Sequence, residues 1–266
     1  TFIGNKAFQN CKELISVNLS TSLKELGNNV FNGCDKLETI ELPASLETIG
    51  NTAFSGCDSM KEIVIPSGVE YIGDKVVGRS PQIDPIDVFC EATEQPDGWE
   101  DTWLDTDSLT DNRVHWGYKG QGLDEESEFR YMIIEQGVSI LGYTGGETEI
   151  KIPTEIGDQP VVGIESGAFY RDAKVNGLSI SNTVTFIGER AFEESHINTL
   201  GIPKSVVNVG KAIFDNIHSA SSHLILYIEW KEDELPEGWV PGWNSTGSLE
   251  VSITYNWGAP YPDPSV

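Results

Sequence analysis

A repeat of 23 residues constrains this sequence more than any other feature. Glycine, cysteine and phenylalanine each recur at this interval, at Gly4, Gly27, Gly50 and Gly73, at Cys11, Cys34 and Cys57, and at Phe8, Phe31 and Phe54. A fixed period of this length is typical of a solenoid, in which every repeat forms one coil. A single coil cannot bury its own apolar side chains, so the core must form between stacked neighbours.

The unit from Cys34 to Gly56 shows how one coil is built. Ile40 and Leu42 are two residues apart and therefore point to the same face of a strand, whereas Thr39 and Glu41 point to the opposite face. The aliphatic pair recurs in each repeat. We therefore expect each coil to contribute one short parallel strand, with the aliphatic side chains facing the core and the polar ones facing solvent.

The remainder of the unit predicts how the chain turns. Pro43 ends the strand because proline has no N–H to donate to a ladder. Gly50 lies where the backbone must turn tightly, with a positive φ as one option. Ala53 and Phe54 begin a short helical or 3₁₀ turn in which the phenylalanine ring plugs the core. The predicted fold is mainly β, with one short parallel strand stacked per coil and short helical or 3₁₀ turns.

The cysteines occupy one slot of the repeat, so their spacing should be that of stacked coils, about 4.8 Å. We interpret Cys11, Cys34 and Cys57 as small buried hydrophobic residues. A disulfide between adjacent coils remains compatible with this distance. A zinc site is disfavoured, because metal sites use pairs of ligands only a few residues apart.

The repeat stops and then resumes, which predicts two tandem cassettes. The first covers residues 1–119, is truncated at its N-terminus, and ends in a cap at about 86–118. Residues 120–128 form an acidic linker. The second cassette covers 129–266 and ends in a cap at about 226–258. Since the first residues enter the repeat in mid-unit, we expect the natural chain to be longer, with any signal or anchor elsewhere.

The two predicted caps share a pattern of tryptophans, in which Trp99, Trp103 and Trp116 align with Trp239, Trp243 and Trp257. Buried rings would close the end of the core, whereas exposed rings could stack on sugars or anchor a protein partner. Trp103 and Trp243 are the candidates for glycan stacking. Matching positions in both caps favour the structural role.

The chain has 42 acidic against 17 basic residues and a formal net charge of −25. Nucleic acids and anionic membranes need clustered Lys and Arg, so neither partner is expected. No apolar run reaches the roughly 20 residues that span a bilayer, so direct membrane insertion of this fragment is not expected. A strongly acidic surface also keeps an extended solenoid soluble.

Candidate catalytic groups do not assemble into a motif. No Ser, Cys or His lies in a nucleophile-elbow, Cys-His or H-E-x-x-H context, so we expect no enzyme and no cofactor. One acidic loop, Asp105 to Asp111, spaces carboxylates along the chain in the manner of a calcium loop, but lacks the central Gly and closing Glu. We therefore expect no metal, with calcium at this loop as the alternative to a solvated loop.

The repeat resembles that of the BspA-like leucine-rich-repeat cell-surface proteins. The shared positions are Leu37, Ile40, Leu42, Pro43, Leu46, Ile49, Gly50, Ala53, Phe54 and Cys57. Departures occur at Glu165 in the glycine slot and at Ser20 and Ser181 in the proline slot. The resemblance implies a leucine-rich-repeat solenoid from a secreted or surface-attached bacterial protein that binds host or neighbouring-cell components. It carries over no catalytic residues.

The predicted function is a non-catalytic binding or adhesion module whose outward strand positions contact a protein at a host or neighbouring-cell surface. Those positions are Ser16, Asn18, Thr39, Glu41, Glu62 and Val64 in the first cassette, and Asn176, Ser179, Asn198 and Thr199 in the second. Two alternatives remain. One is carbohydrate binding through the tryptophan-containing caps, and the other is a structural spacer in a larger surface protein.

Overall fold

The computed structural model describes residues 1–78, 84–104, 113–218, 223–247 and 251–262. The chain divides into two compact units, Thr1–Tyr118 and Lys119–Val266. Each unit is a solenoid of short, mostly parallel strands, which confirms the predicted leucine-rich-repeat fold. Among the described residues the only helix is a single 3₁₀ turn, Glu232–Glu234.

The first unit stacks its strands in two rows. The strands are β1 Phe2–Ile3, β2 Ser16–Val17, β3 Glu25–Leu26, β4 Thr39–Ile40, β5 Thr48–Ile49, β6 Glu62–Ile65, β7 Tyr71–Ile72, β8 Asp87–Cys90 and β9 Arg113–Trp116. One sheet has the order β1-β3-β5-β7, and on the opposite face β2 pairs with β4 while β6, β8 and β9 form a second parallel group.

The coils from β1 to β7 therefore have two short strands each, not the predicted one. Thr48–Ile49 forms the second strand of the central coil, and Ile49 is fully buried against the core. The sequence did not predict this second strand, because it is only two residues long. Alternation of polar and apolar residues over so short a stretch does not distinguish a strand from a turn. The backbone of the neighbouring coils supplies the ladder.

The predicted helical turn at Ala53 and Phe54 is wrong. Thr52 has a φ of 53°, which is incompatible with a right-handed helix. The N–H of Thr52 donates to Asp74 O and that of Phe54 to Val76 O, each at 2.8 Å. Because these bonds run to the next coil, the segment forms a stacked series of turns instead of a helix.

The glycine slot serves close packing between coils. Gly50 does not have a positive φ; instead, a Cβ there would lie 2.6 Å from the backbone nitrogen of Asn28. The next residue forms a ladder, in which Asn28 Oδ1 accepts from Asn51 N at 2.8 Å and Asn51 Oδ1 accepts from Asp74 N at 3.1 Å. The tight approach and the ladder fix the register of successive coils.

Stacked phenylalanine rings form the centre of the first core. Phe31 lies 5.3 Å from Phe8 and 5.7 Å from Phe54, with nearly parallel rings. Beside them, the Cys34 thiol donates to the carbonyl of Phe8 at 3.1 Å. Cys34 and Cys57 are buried as predicted, whereas Cys11 is exposed. No disulfide joins the cysteines.

The strands of the second unit are β10 Gln121–Leu123, β11 Phe129–Ile134, β12 Gly137–Tyr143, β13 Glu149–Lys151, β14 Glu155–Ile156, β15 Gln159–Ile164, β16 Gly177–Ser179, β17 Phe186–Ile187, β18 Thr199–Ile202, β19 Asn208–Val209, β20 His223–Ile228, β21 Gly238–Trp239 and β22 Ser252–Trp257. The unit begins with an antiparallel group, β10-β11-β12. It continues as a parallel solenoid through β15, β17, β19 and β21 on one face and β13, β16, β18, β20 and β22 on the other. Part of the segment interpreted as a linker, 121–123, thus belongs to the sheet of this unit.

The segments interpreted as caps continue the solenoid. In the first unit β8 and β9 extend the parallel ladder from β6. In the second, β20 and β22 extend it from β18. Trp99 and Trp239 lie on the opposite side of these wider coils, where Trp99 forms a parallel bridge with Ile72 and Trp239 pairs with Val209. Trp116 and Trp257 instead end the strands β9 and β22.

Candidate binding surface on the strand face

The outward strand positions of the first unit form two rows across the coils. Ser16 is in register with Thr39, and Glu62 is in register with Asp87. The next residue of each of these strands points into the core. Ser16, Thr39 and Glu62 are exposed. The repeat therefore places one residue of each coil beside its counterpart in the next, which produces a continuous polar surface on this face.

This face contains an open groove of about 830 Å³. Five of the six residues predicted for partner binding in this unit line it, namely Ser16, Asn18, Thr39, Glu41 and Val64. Pro43, Ala44 and Pro66 form an apolar side. The sixth residue, Glu62, lies in an adjacent hollow with Asp58 and Lys61.

The groove is acidic. Its lining includes the carboxylates of Glu41 and Glu91 and, among the described residues, neither lysine nor arginine. Glu91 is held in place, because its Oε2 accepts from the backbone N–H of Ser67 at 2.9 Å and from the Ser67 hydroxyl at 3.2 Å. A fixed carboxylate beside an apolar proline wall suits an extended segment that carries both an aliphatic stem and a cation.

The outward rows are no longer mostly polar and exposed at β8 and β9. Phe89 and His115 follow Val64 in the same outward row, yet both are buried. The Phe89 ring stacks on His115 at 4.8 Å and contacts Tyr118 at 4.9 Å. His115 Nε2 lies 3.0 Å from Asp87 Oδ1. Sequence analysis did not single out His115, because Val64, Phe89 and His115 are not separated by the 23-residue period and only the strand register places them in one row.

The second unit holds its predicted residues differently. Ser179 points outward and lines a hollow of about 280 Å³, and Thr199 is half-buried in the neighbouring row. Asn176 and Asn198 precede their strands, and the N–H of Asn198 donates to Asn176 O at 2.8 Å. The structure thus brings Ser179 and Thr199 to one face and places the two asparagines at its edge.

The two tryptophans considered for sugar stacking lie in the core. Trp103 is 3% exposed and Trp243 is 7% exposed. Trp103 packs edge-on against Trp99 at 5.0 Å, and Trp243 against Trp239 at 4.8 Å. Little ring surface is accessible to a sugar, so this burial supports the structural role.

The acidic loop considered for calcium, 105–111, lies outside the described residues. Among the residues that are described, no group of three or more His, Cys, Asp or Glu side chains is placed to hold a metal ion. Within that same part of the chain, no helix is long and apolar enough to cross a membrane.

The repeat geometry agrees with a comparison against protein-family models. The BspA type leucine rich repeat region matches in six copies, over residues 1–96 and 148–227. The chain belongs to the BspA-type leucine-rich-repeat family. The resemblance inferred from the sequence is therefore confirmed, and the matched segments of this BspA-type protein include coils of both units.

Solved structures of similar proteins were also found. A leucine-rich cell surface protein from Faecalibacterium prausnitzii is 17% identical, with 96% of this chain and 83% of that chain covered and a TM-score of 0.43. A leucine-rich repeat protein from Bacteroides ovatus is 22% identical, with 96% and 58% covered and a TM-score of 0.39. The pneumococcal vaccine antigen PcpA is 17% identical, with 96% and 66% covered and a TM-score of 0.47. A search of curated proteins found no match.

Proposed function

We propose that this BspA-type chain is a non-catalytic binding module of an extracellular or cell-surface protein, and that the groove of its first unit binds an extended protein segment on a host or neighbouring cell. The observation that supports this most is the groove itself. Five outward residues from three successive coils line one open space of about 830 Å³, and their inward neighbours supply the core. Binding residues on this face are thus free to vary without loss of the fold.

The charge of the groove indicates the chemistry of the partner. Glu41, Glu62 and Glu91 lie along it or beside it, on a chain whose net charge is −25. Complementary charges raise association rates and exclude partners of like charge. A partner segment rich in Lys or Arg therefore fits this face, and an acidic one does not.

Selection of linear peptides against the whole chain tests this chemistry. Peptides that bind should be enriched in Lys and Arg, and the double variant E41K/E62K should bind them about tenfold less tightly or worse. E25K/E70K is the matched control, because it makes the same change in net charge at two exposed residues away from the groove. Neutral or acidic peptides, or equal losses in both variants, would contradict the proposal.

The alternatives receive less support. Carbohydrate binding through Trp103 and Trp243 requires accessible rings, and both rings are buried. A passive spacer requires no groove on the strand face. A spacer role would be indicated if the groove variant and its control behaved alike in every binding measurement.

A further inference from the structure

The strand face of the second unit differs from that of the first because a tyrosine covers it. Tyr261, four residues after the end of β22, returns over β18 and lies against Gly201. Its ring packs edge-on against Tyr227, with centroids 5.6 Å apart and an interplanar angle of 74°. Edge-to-face packing at this distance is a favoured aromatic arrangement.

Gly201 is the residue that makes room for this ring. A Cβ at Gly201 would lie 2.7 Å from Cδ2 and 2.8 Å from Cγ of Tyr261. The equivalent outward slots of the other coils contain Asn18, Glu41, Val64, Lys151 and Ser179. Gly201 has no positive φ that would require glycine. Glycine inside a strand often marks the close approach of another group, and here that group is the ring.

A second glycine, Gly177, leaves space for Glu149, the hydrogen-bond acceptor of Tyr261. The Glu149 carboxylate lies over Gly177, and a side chain at this position would require the carboxylate to move. The Tyr261 hydroxyl donates to Glu149 Oε2 at 3.1 Å. Burial, together with the Glu149 charge, raises the pKa of Tyr261, so the hydroxyl remains a donor at neutral pH. Gly177, Gly201, Tyr227 and Glu149 thus form a slot with an apolar wall and one acceptor.

The segment in the slot has the character of an extended peptide ligand. Tyr261 is flanked by Pro260 and Pro262, which favour the polyproline II conformation and reduce the entropy lost on binding. Pro260 and Tyr261 border the hollow of about 280 Å³. Lys151, Ser179 and Pro203 form other parts of its lining, so flanking residues of a longer peptide have space beside the ring.

We propose that this slot binds a proline-flanked tyrosine in an extended segment of a partner protein, and that Tyr261 of the chain itself occupies the slot as a displaceable intramolecular ligand. The site lies on the second unit and does not depend on the acidic groove of the first. An intramolecular segment competes at an effective concentration in the millimolar range, which lowers the apparent affinity for an external peptide.

Peptide binding to the full chain with the slot emptied tests the proposal. The probe is a capped peptide with the sequence of residues 258–262, Gly-Ala-Pro-Tyr-Pro, and its control has alanine in place of tyrosine. The Y261A variant should bind the tyrosine peptide and not the alanine peptide in a calorimetric or NMR titration. The wild type should bind the same peptide about fivefold more weakly, because its own tyrosine competes.

Two further variants keep the test decisive. G201V in the Y261A background should abolish binding by filling the slot. If that variant loses its circular dichroism signal, E149A in the same background should weaken binding instead, since it removes the acceptor. Failure of Y261A to bind the tyrosine peptide at about 10 mM, or equal binding of both peptides, would overturn the proposal.

Discussion

At the scale of the residue, the asparagines that follow the repeat glycines of the first unit connect one coil to the next. Asn5, Asn28 and Asn51 each accept a hydrogen bond from the backbone N–H of the equivalent residue one coil later. The fourth slot contains Asp74, which has the same acceptor atom at the same branch point. In the first unit this slot therefore holds a short side chain with an acceptor oxygen.

Replacing Asn28 tests this ladder. Asn28→Ala should lower the free energy of unfolding by about 1 kcal/mol, because the N–H of Asn51 loses its acceptor. Asn28→Asp should retain most of the stability, since the carboxylate oxygen takes over the role. Urea denaturation measures both. Equal destabilisation by the two substitutions would show that the acceptor oxygen is not what matters.

The cysteines provide a second prediction at this scale. Cys11 is exposed, whereas Cys34, Cys57 and Cys90 are buried, and burial raises the pKa of the Cys34 and Cys90 thiols. A raised pKa leaves less reactive thiolate at neutral pH. A thiol reagent should therefore modify one cysteine rapidly in the native protein and the others only after unfolding.

The control for this measurement is Cys11→Ser, which should have no rapidly reacting thiol. Rapid modification of several cysteines in the native wild type would contradict the buried packing of the thiol row.

Two departures from the repeat are compensated locally. Glu165 stands in the glycine slot and is 7% exposed, yet its Oε1 accepts from the Ser139 hydroxyl at 2.6 Å. Ser181 stands in the proline slot and donates to Pro153 O at 3.0 Å. In each case a new hydrogen bond pairs the buried polar group, which would otherwise be costly. The coil geometry therefore tolerates the substitutions.

At the scale of the element, stacked phenylalanines form a column through the core of each unit. Phe31 is fully buried between two rings, whereas Phe8 is half-buried and has one ring neighbour. In the second unit Phe192 lies in the same way between Phe169 and Phe214, at 5.4 and 5.8 Å. The ring at the centre of a stack should matter more than the ring at its end.

Phe31→Ala should lower the free energy of unfolding by about 3 to 5 kcal/mol, because it leaves a cavity in a closely packed core. Phe8→Ala is the matched variant and should cost clearly less, since part of its ring is already exposed. Chemical denaturation of the full chain measures the difference. Similar losses in the two variants would contradict the position-dependent role of the stack.

The repeat predicts the strands of the strand face but not the turns between them. The 23-residue period and the pair Ile40 and Leu42 were sufficient for the strand face and its inward residues. The turn at Ala53 and Phe54 was not predictable in the same way, because its backbone donors reach the next coil and not the same segment. A local sequence pattern indicates hydrogen bonds within the same segment. A turn of a solenoid is instead stabilised by hydrogen bonds to the adjacent coils, so a local pattern does not predict it.

The candidate surface shows the same division. Outward positions such as Ser16 and Glu41 follow directly from strand alternation. The covering of Gly201 by Tyr261 joins residues 60 positions apart, which no period of the repeat contains. The unexplained glycine in an outward slot was the only sequence signal for it.

At the scale of the whole molecule, the net charge of −25 dominates the electrostatics. Exposed ion pairs between coils, such as Lys36 with Glu13 at 2.6 Å, offset this repulsion only slightly, because surface pairs contribute little. Self-repulsion of like charges destabilises a compact chain. The stability of this chain should therefore depend on ionic strength.

Raising the salt concentration from about 10 mM to about 150 mM should raise the thermal midpoint by a few degrees, since the Debye length shortens to about 8 Å. Differential scanning calorimetry at neutral pH measures this shift. Variants with fewer acidic residues, such as E25K/E70K, should show a smaller shift. A midpoint that falls with added salt would indicate that attractive ion pairs outweigh the repulsion.

The most direct test of a binding face on the first unit is the titration of the labelled 266-residue chain onto intact host and bacterial cells. Wild type and E25K/E70K should bind with similar apparent dissociation constants, whereas E41K/E62K should bind about tenfold more weakly or not at all. All three proteins should have the same circular dichroism spectrum. Undiminished binding by folded E41K/E62K would contradict the assignment of the groove as the binding surface.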